Sequence, residues 1–138
     1  MDDKIVCWGK NRFGEALPGP TEDSFKAIAT GQYHTCAIRS DDKVVCWGQF
    51  AGDKTSPIIQ VSTGSFKAIT AGLGHTCGIR ADDKVLCWGY NYEGQAPPGP
   101  STDSFKAIAA GQFHTCAIRF DDEVFCWGEN NEGQATPP

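Results

Sequence analysis

Fifteen residues, HTCAIRSDDKVVCWG (34–48), recur as HTCGIRADDKVLCWG (75–89) and as HTCAIRFDDEVFCWG (114–128), and a truncated copy, DDKIVCWG (2–9), precedes them. This repetition constrains the fold more than any other feature. A catalytic site is normally assembled once, whereas a unit written several times builds architecture. Function is therefore to be sought where the copies differ. Trp8, Trp47, Trp88 and Trp127 are separated by 39, 41 and 39 residues. A period near 40 belongs to propeller blades or to HEAT-type helix pairs. The helical option fails, because each unit carries interior glycines, Pro-Gly connectors and β-branched or aromatic residues around its cysteines. No segment holds a 3–4 apolar spacing for ten residues.

Strands fit each unit. In the second unit they are predicted at 25–30 (FKAIAT), 34–39 (HTCAIR) and 43–47 (KVVCW), with a weaker fourth strand expected in the third unit at 94–98 (GQAPP), where proline suits a sheet edge. Four short antiparallel strands per 40 residues make one propeller blade. The expected fold is therefore all-β, with an N-terminal half blade (1–23) and three complete blades (24–64, 65–103 and 104–138). Such an arc leaves two apolar faces and a strand edge open, so either a longer propeller or a homo-oligomeric ring or filament is expected.

The cysteines fix the hairpin register. With Cys36 opposite Cys46, Ala37 faces Val45, Ile38 faces Val44 and Arg39 faces Lys43, leaving a loop of Ser40, Asp41 and Asp42. A loop of this length needs its last residue in the left-handed conformation, which Asp tolerates; Asp83 and Asp122 repeat it. Directly opposed cysteines lie within disulfide range, so Cys36–Cys46, Cys77–Cys87 and Cys116–Cys126 are the expected bridges. Each would restrict the unfolded chain by about 2.8 kcal/mol. Free thiols or zinc are the other readings, but the spacing matches neither C-x(2–4)-C nor H-x(3–5)-H. Cys7 is left over, unpaired or intermolecular. Paired cysteines point to an oxidising compartment, hence to an extracellular or secreted protein; no signal peptide is expected in residues 1–9, and if the protein is exported its signal has been removed or replaced by Met1.

Composition narrows the partners. A net charge of −5 argues against a nucleic-acid footprint, which needs a basic face. The absence of any run of 18 apolar residues argues against membrane insertion. No Ser-His-Asp order, Walker loop or dinucleotide fingerprint occurs, so no catalytic residue, metal or cofactor is expected.

The segments AAGQFHTCAI (109–118) and WGENNEGQ (127–134), with WGYNYEGQ (88–95), resemble the repeat of the regulator of chromosome condensation family. The first unit matches with Glu15 in place of Gln, and the second departs after Gly48. The resemblance implies a β-propeller, commonly of seven blades. Its cysteine-paired form is similar to bacterial secreted members and to the extracellular propeller of crinkly-type plant receptor kinases. Family functions are diverse and surface-mediated, so the fold does not fix the function.

Strand polarity places the acidic turns on one face and the variable loops on the other. The acidic turns read as solvated loops or weak calcium ligands. The variable face carries Phe13, Tyr33, Phe50, Tyr90, Tyr92 and Phe113, aromatics of the kind that anchor protein partners; packing on neighbouring blades is the other reading. His34, His75 and His114 share one position, where a structural hydrogen bond to a neighbouring loop is expected; convergence on a metal is the other reading. The expected function is non-enzymatic binding of another protein or of copies of itself. A self-assembly module and lectin-like glycan binding through the Trp and Asn residues are the alternatives.

Overall fold

The computed structural model describes residues 3–12, 16, 23–48, 60–61 and 64–137. Three antiparallel sheets repeat one plan. The first comprises β1 (Phe25–Thr30), β2 (His34–Arg39), β3 (Val44–Gly48) and β4 (Gln60–Val61) in that order. The second comprises β5 (Phe66–Ala71), β6 (His75–Arg80) and β7 (Val85–Gly89), and the third β8 (Phe105–Ala110), β9 (His114–Arg119) and β10 (Val124–Gly128). No helix occurs among the described residues.

The hairpin register is the one the cysteines dictate: Cys36 faces Cys46, Ala37 faces Val45 and Ile38 faces Val44, and the other two hairpins repeat it. All three disulfides are closed, with Cα–Cα distances of 4.1, 4.0 and 4.1 Å. Asp42, Asp83 and Asp122 adopt φ of 69°, 67° and 69°, the left-handed conformation that the three-residue loop demands. Two of these aspartates also join sheets. The Asp42 carbonyl accepts the Phe66 amide at 2.9 Å, and the Asp83 carbonyl accepts that of Phe105 at 2.8 Å.

A bulge recurs in the first strand of every sheet. Phe25 pairs with Arg39 but Ala27 pairs with Ile38, leaving Lys26 as the extra residue; Lys67 and Lys106 repeat it. A bulge re-aims a side chain, and here it turns Lys26, Lys67 and Lys106 onto Asp42, Asp83 and Asp122.

The sheets stack through apolar faces. The Cys36–Cys46 bridge, Ile38 and Val44 are buried against Phe66, Ile69, Leu86 and Trp88 of the second sheet. One period later, Cys77, Ile79, Val85 and Cys87 meet Phe105, Ile108 and Trp127 of the third. Because β2 and β3 have a neighbour on both sides, all five residues of β3 are buried; a one-sided strand would alternate.

The fourth strand departs from expectation. Residues 94–98 form bends rather than a strand. Pro97, Pro98 and Pro100 remove the amides that a ladder on β7 needs. The slot is held instead at Ser101, whose amide donates to the Val85 carbonyl at 2.8 Å and whose Oγ accepts from the Val85 amide at 2.9 Å. Only the first sheet has a fourth strand among the described residues, and it lies at Gln60–Val61.

Candidate functional site

The variable loops converge on one end of the stacked sheets. Tyr90 follows β7, and its amide donates to the Gly74 carbonyl at 2.9 Å, fixing it beside the β5–β6 loop. Its ring meets that of Tyr92 edge-on at 4.8 Å, and that of Phe113, from the β8–β9 loop, at 6.1 Å. Three of the candidate aromatics therefore form one cluster bridging the second and third sheets. Tyr92 is its exposed member, at 85%; Tyr90 and Phe113 are half-buried.

Tyr33 stands elsewhere. Lys10 lies over its ring at 5.3 Å, and Gln32 donates to its hydroxyl at 3.0 Å. The equivalent position in the second sheet is Gly74, so the row of aromatics along the β1–β2-type loops is interrupted there. Phe13 and Phe50 lie outside the described residues.

The loop bearing Tyr92 is rigid for local reasons. Asn91 Oδ1 accepts the Ala96 amide at 2.8 Å, and Gln95 Oε1 accepts the Glu93 amide at 2.9 Å. Gly94 adopts φ of 78°, a conformation that costs glycine least. Asn130, Glu132, Gly133 and Gln134 rebuild the same loop. The asparagine and glutamine of the W-G-x-N-x-x-G-Q motif are thus internal caps. Trp127 likewise donates its indole N–H to the Gln95 carbonyl at 2.9 Å.

The histidines form a ladder. His34 Nε2 lies 2.9 Å from Thr76 Oγ1, and His75 Nε2 lies 2.9 Å from Thr115 Oγ1. The partner is a strand threonine of the next sheet rather than a neighbouring loop. Since Thr115 donates its only hydroxyl hydrogen to the Gln95 carbonyl at 3.1 Å, it accepts from His75, so His75 carries its proton on Nε2. Both rings are fully buried. Burial lowers their pKa to about 4, which keeps them neutral at pH 7. The repeated His-Thr dipeptide was the signal for this ladder, each threonine receiving the histidine of the copy before it.

At the opposite end, the aspartates of the three hairpin turns have basic neighbours. Arg39, Arg80 and Arg119 pair with Asp41, Asp82 and Asp121. The Arg39 guanidinium holds the Asp41 carboxyl at about 2, and Arg80 does the same for Asp82. These acids are neutralised locally, two residues from their arginines, which fits solvated turns better than a cation site.

Trp47 is buried, Trp88 packs against the Cys36–Cys46 cluster of the first sheet, and Trp127 packs against the Cys77–Cys87 cluster of the second. The repeated tryptophan is therefore sheet-to-sheet packing. Trp8 differs, at 85% exposure. Exposed Phe120, in the β9–β10 turn, was not singled out from the sequence, although an aromatic where the other copies carry Ser40 and Ala81 was the available signal.

The family model of the regulator of chromosome condensation (RCC1) repeat matches residues 25–50, 66–95 and 105–134. Among solved structures, the chain is similar to the CRINKLY WD40 ectodomain of the Arabidopsis thaliana receptor kinase ACR4. The identity is 29% and the TM-score 0.76, over 93% of this chain and 45% of that one. The entire ectodomain of the Physcomitrella patens receptor kinase CR4 is 27% identical with a TM-score of 0.75, over 94% and 34%. Yeast RCC1 (Prp20), solved bound to Kap60, shares the fold at 19% identity and a TM-score of 0.80, over 98% and 41%. The chain thus spans less than half the length of these structures. No curated protein matches it in sequence. With three matched repeats covering more than half of its residues, the chain belongs to the regulator of chromosome condensation repeat family, and its architecture is that of an RCC1-like β-propeller.

Proposed function

We propose that the chain is a non-enzymatic, extracellular protein-binding propeller that engages its partner through the Tyr90–Tyr92–Phe113 cluster, with Tyr33 contributing from the same end. The observation that carries this reading is the exposed Tyr92 ring, stacked edge-on against Tyr90 on a loop already fixed by Asn91 and Gln95. An aromatic anchor held in place before binding loses little entropy when it docks, and such residues dominate interface energetics. Three disulfides support an oxidising compartment, as does similarity to two plant receptor ectodomains. The net charge of −5 disfavours nucleic acid as the partner.

The test is capture from the native extracellular medium by the wild-type chain and by a Tyr90→Ala/Tyr92→Ala/Phe113→Ala variant. Loss of a specifically captured protein, with a melting temperature within a few degrees of wild type, supports the reading. Equal capture by both overturns it. Lectin-like binding is favoured less, since the Trp127 N–H and the Asn91 Oδ1 are engaged inside the molecule; a positive glycan array that survives the triple substitution would restore it.

A second reading, self-association, is favoured by the two ends of the stack. Val6 and Trp8 are exposed at one end, and Val124 at the other. These are the positions that pack between sheets elsewhere. Light scattering at micromolar concentration decides it, a stable mass of about 15 kDa refuting association.

A further inference from the structure

The copies of the repeat differ in the cleft between β7 and β10, where the second and third sheets meet. A cavity of about 280 Å³ opens there, walled by Phe105, Phe125 and Trp127 and by the strap 97–103 that leads to β8. The rings stand as inclined walls rather than a stack. Phe105 meets Phe125 at 6.3 Å and 77°, and Trp127 at 6.4 Å and 61°. Two of the rings are fixed, Phe105 by burial and Trp127 by its indole bond to the Gln95 carbonyl. The strap is fixed as well, because Ser101 engages both polar groups of the Val85 backbone and donates its Oγ hydrogen to the Asp103 carbonyl at 2.8 Å. Asp103 is held in the lining in this way.

The preceding interface, between the first and second sheets, shows what packing alone requires. The equivalent positions there are Phe66, Leu86 and Trp88, with Gly64 in place of Asp103. Leu86 packs against the core around the Cys36–Cys46 bridge, whereas Phe125 stays 37% exposed. The third aromatic wall and the carboxylate thus occur together, at one interface, and neither is needed to join two sheets. The local charge is negative. Asp103 touches Arg119 at 3.4 Å, but Arg119 also pairs with Asp121 and Glu123, so one guanidinium faces three carboxylates. Arg119 lies over the Phe125 ring at 4.6 Å, so this ring already accepts a cation. Neither Arg119 nor Lys84, which is bound to the Thr102 carbonyl and Ser104, is part of the lining.

We propose that this cavity binds a small quaternary ammonium cation of the choline type. Aromatic faces attract a cation lying within about 6 Å of a ring centroid, and more strongly where water is excluded. The walls also select the kind of cation. Phenylalanine has no hydrogen-bonding group and the tryptophan indole only donates, so a primary ammonium would shed its water there without a replacement partner. A quaternary ammonium has no N–H to satisfy. Asp103 supplies the opposite charge. The site shares no residue with the Tyr90–Tyr92–Phe113 cluster and does not depend on the protein-binding reading.

The test is a titration of the isotope-labelled chain with choline chloride at constant ionic strength, following the indole N–H of Trp127. A saturable shift in the millimolar range is expected. The carbon isostere of choline, in which a tert-butyl group replaces trimethylammonium, keeps the shape without the charge and should bind at least about fivefold more weakly. Choline itself should bind at least about fivefold more weakly to Phe125→Leu, which installs the residue the chain already uses at position 86, and to Asp103→Asn. The second variant lies on the strap outside the core, so it keeps the test decisive if the first perturbs folding. Absence of a saturable shift would overturn the proposal. Equal binding of the neutral isostere would do the same by reducing the site to an apolar cavity, as would unchanged affinity in either folded variant.

Discussion

The hexapeptide HTCAIR occurs twice, as β2 and as β9, and the two copies share their hydrogen-bond register but not their surroundings. In β2, residues 34–38 are all buried, because the half unit covers one face and the second sheet the other. In β9, burial alternates, because only the second sheet covers it. Strand, turn and disulfide are thus local properties of the repeat, whereas the stability of each copy depends on its neighbour, as expected of stacked repeats.

Acid should expose this difference most strongly. His34 and His75 are buried neutral with pKa lowered to about 4, first by desolvation, while an unfolded histidine titrates near 6.5. Below that value the unfolded chain takes up protons that the folded chain refuses. Stability therefore falls as pH drops from about 6.5 to 4, and this contribution levels off below. The loss should be roughly 3 kcal/mol per histidine. Urea unfolding between pH 7 and 4 measures it, and His75→Gln should remove about half of the slope. A flat profile would show that the rings are solvated. Asp41 and Asp82, whose pKa the adjacent arginines lower to about 2, stabilise above the unfolded value near 4 and lose that effect as pH falls towards 2.

Matched substitutions sharpen the comparison. Ile38 is fully buried between two sheets, and Ile118 holds the same place in β9 with one face open. Ile38→Ala should cost about 3–4 kcal/mol by lost burial and a residual cavity, and Ile118→Ala about 1 kcal/mol, since an open face leaves no cavity. Equal costs in chemical denaturation would mean that the open face is covered in solution.

Much of this was legible in the sequence, because the encoding is local. The ten-residue spacing of the cysteines set the register, and the second aspartate of each acidic pair marked the left-handed residue. What was not legible depended on neighbours. The fourth strand was expected at GQAPP, but the prolines that suit an edge also remove the amides needed for a ladder, and Ser101 takes the place. The bulged lysines were invisible, since FKAI reads as regular alternation. The aromatic face was half legible. Tyr90, Tyr92 and Phe113 converge, but Gly74 parts them from Tyr33, and only the order of the sheets shows that the missing aromatic is the one between.

The His–Thr contact offers a smaller test of the same idea. Thr76→Val keeps the shape of the side chain but removes the hydroxyl that meets His34 Nε2 within a sealed interface. A buried polar group losing its partner costs about 1–3 kcal/mol. Thr136 also makes a hydroxyl contact, accepting from Asn130 Nδ2 at 2.7 Å, but on an exposed loop. There water replaces the lost partner, and Thr136→Val should cost under about 0.5 kcal/mol. If the two substitutions cost the same, the His34–Thr76 interface is open to water.

The smallest effect is expected at the aromatic cluster, and its smallness is the point. Tyr92 is exposed, so Tyr92→Ala removes little buried surface and forfeits mainly its edge-on contact with Tyr90. Aromatic pairs of this geometry contribute about 0.5–1.5 kcal/mol beyond burial, with exposed pairs at the low end. Tyr92→Ala should therefore destabilise by about 0.5 kcal/mol, and half-buried Tyr90→Ala by about 1 kcal/mol. A double-mutant cycle should return a coupling near 0.5 kcal/mol. A larger coupling, or a cost for Tyr92→Ala approaching that of Ile38→Ala, would mean that the cluster holds the second and third sheets together. Its aromatics would then be architecture, like the tryptophans, and the binding face would have to be sought elsewhere on the propeller.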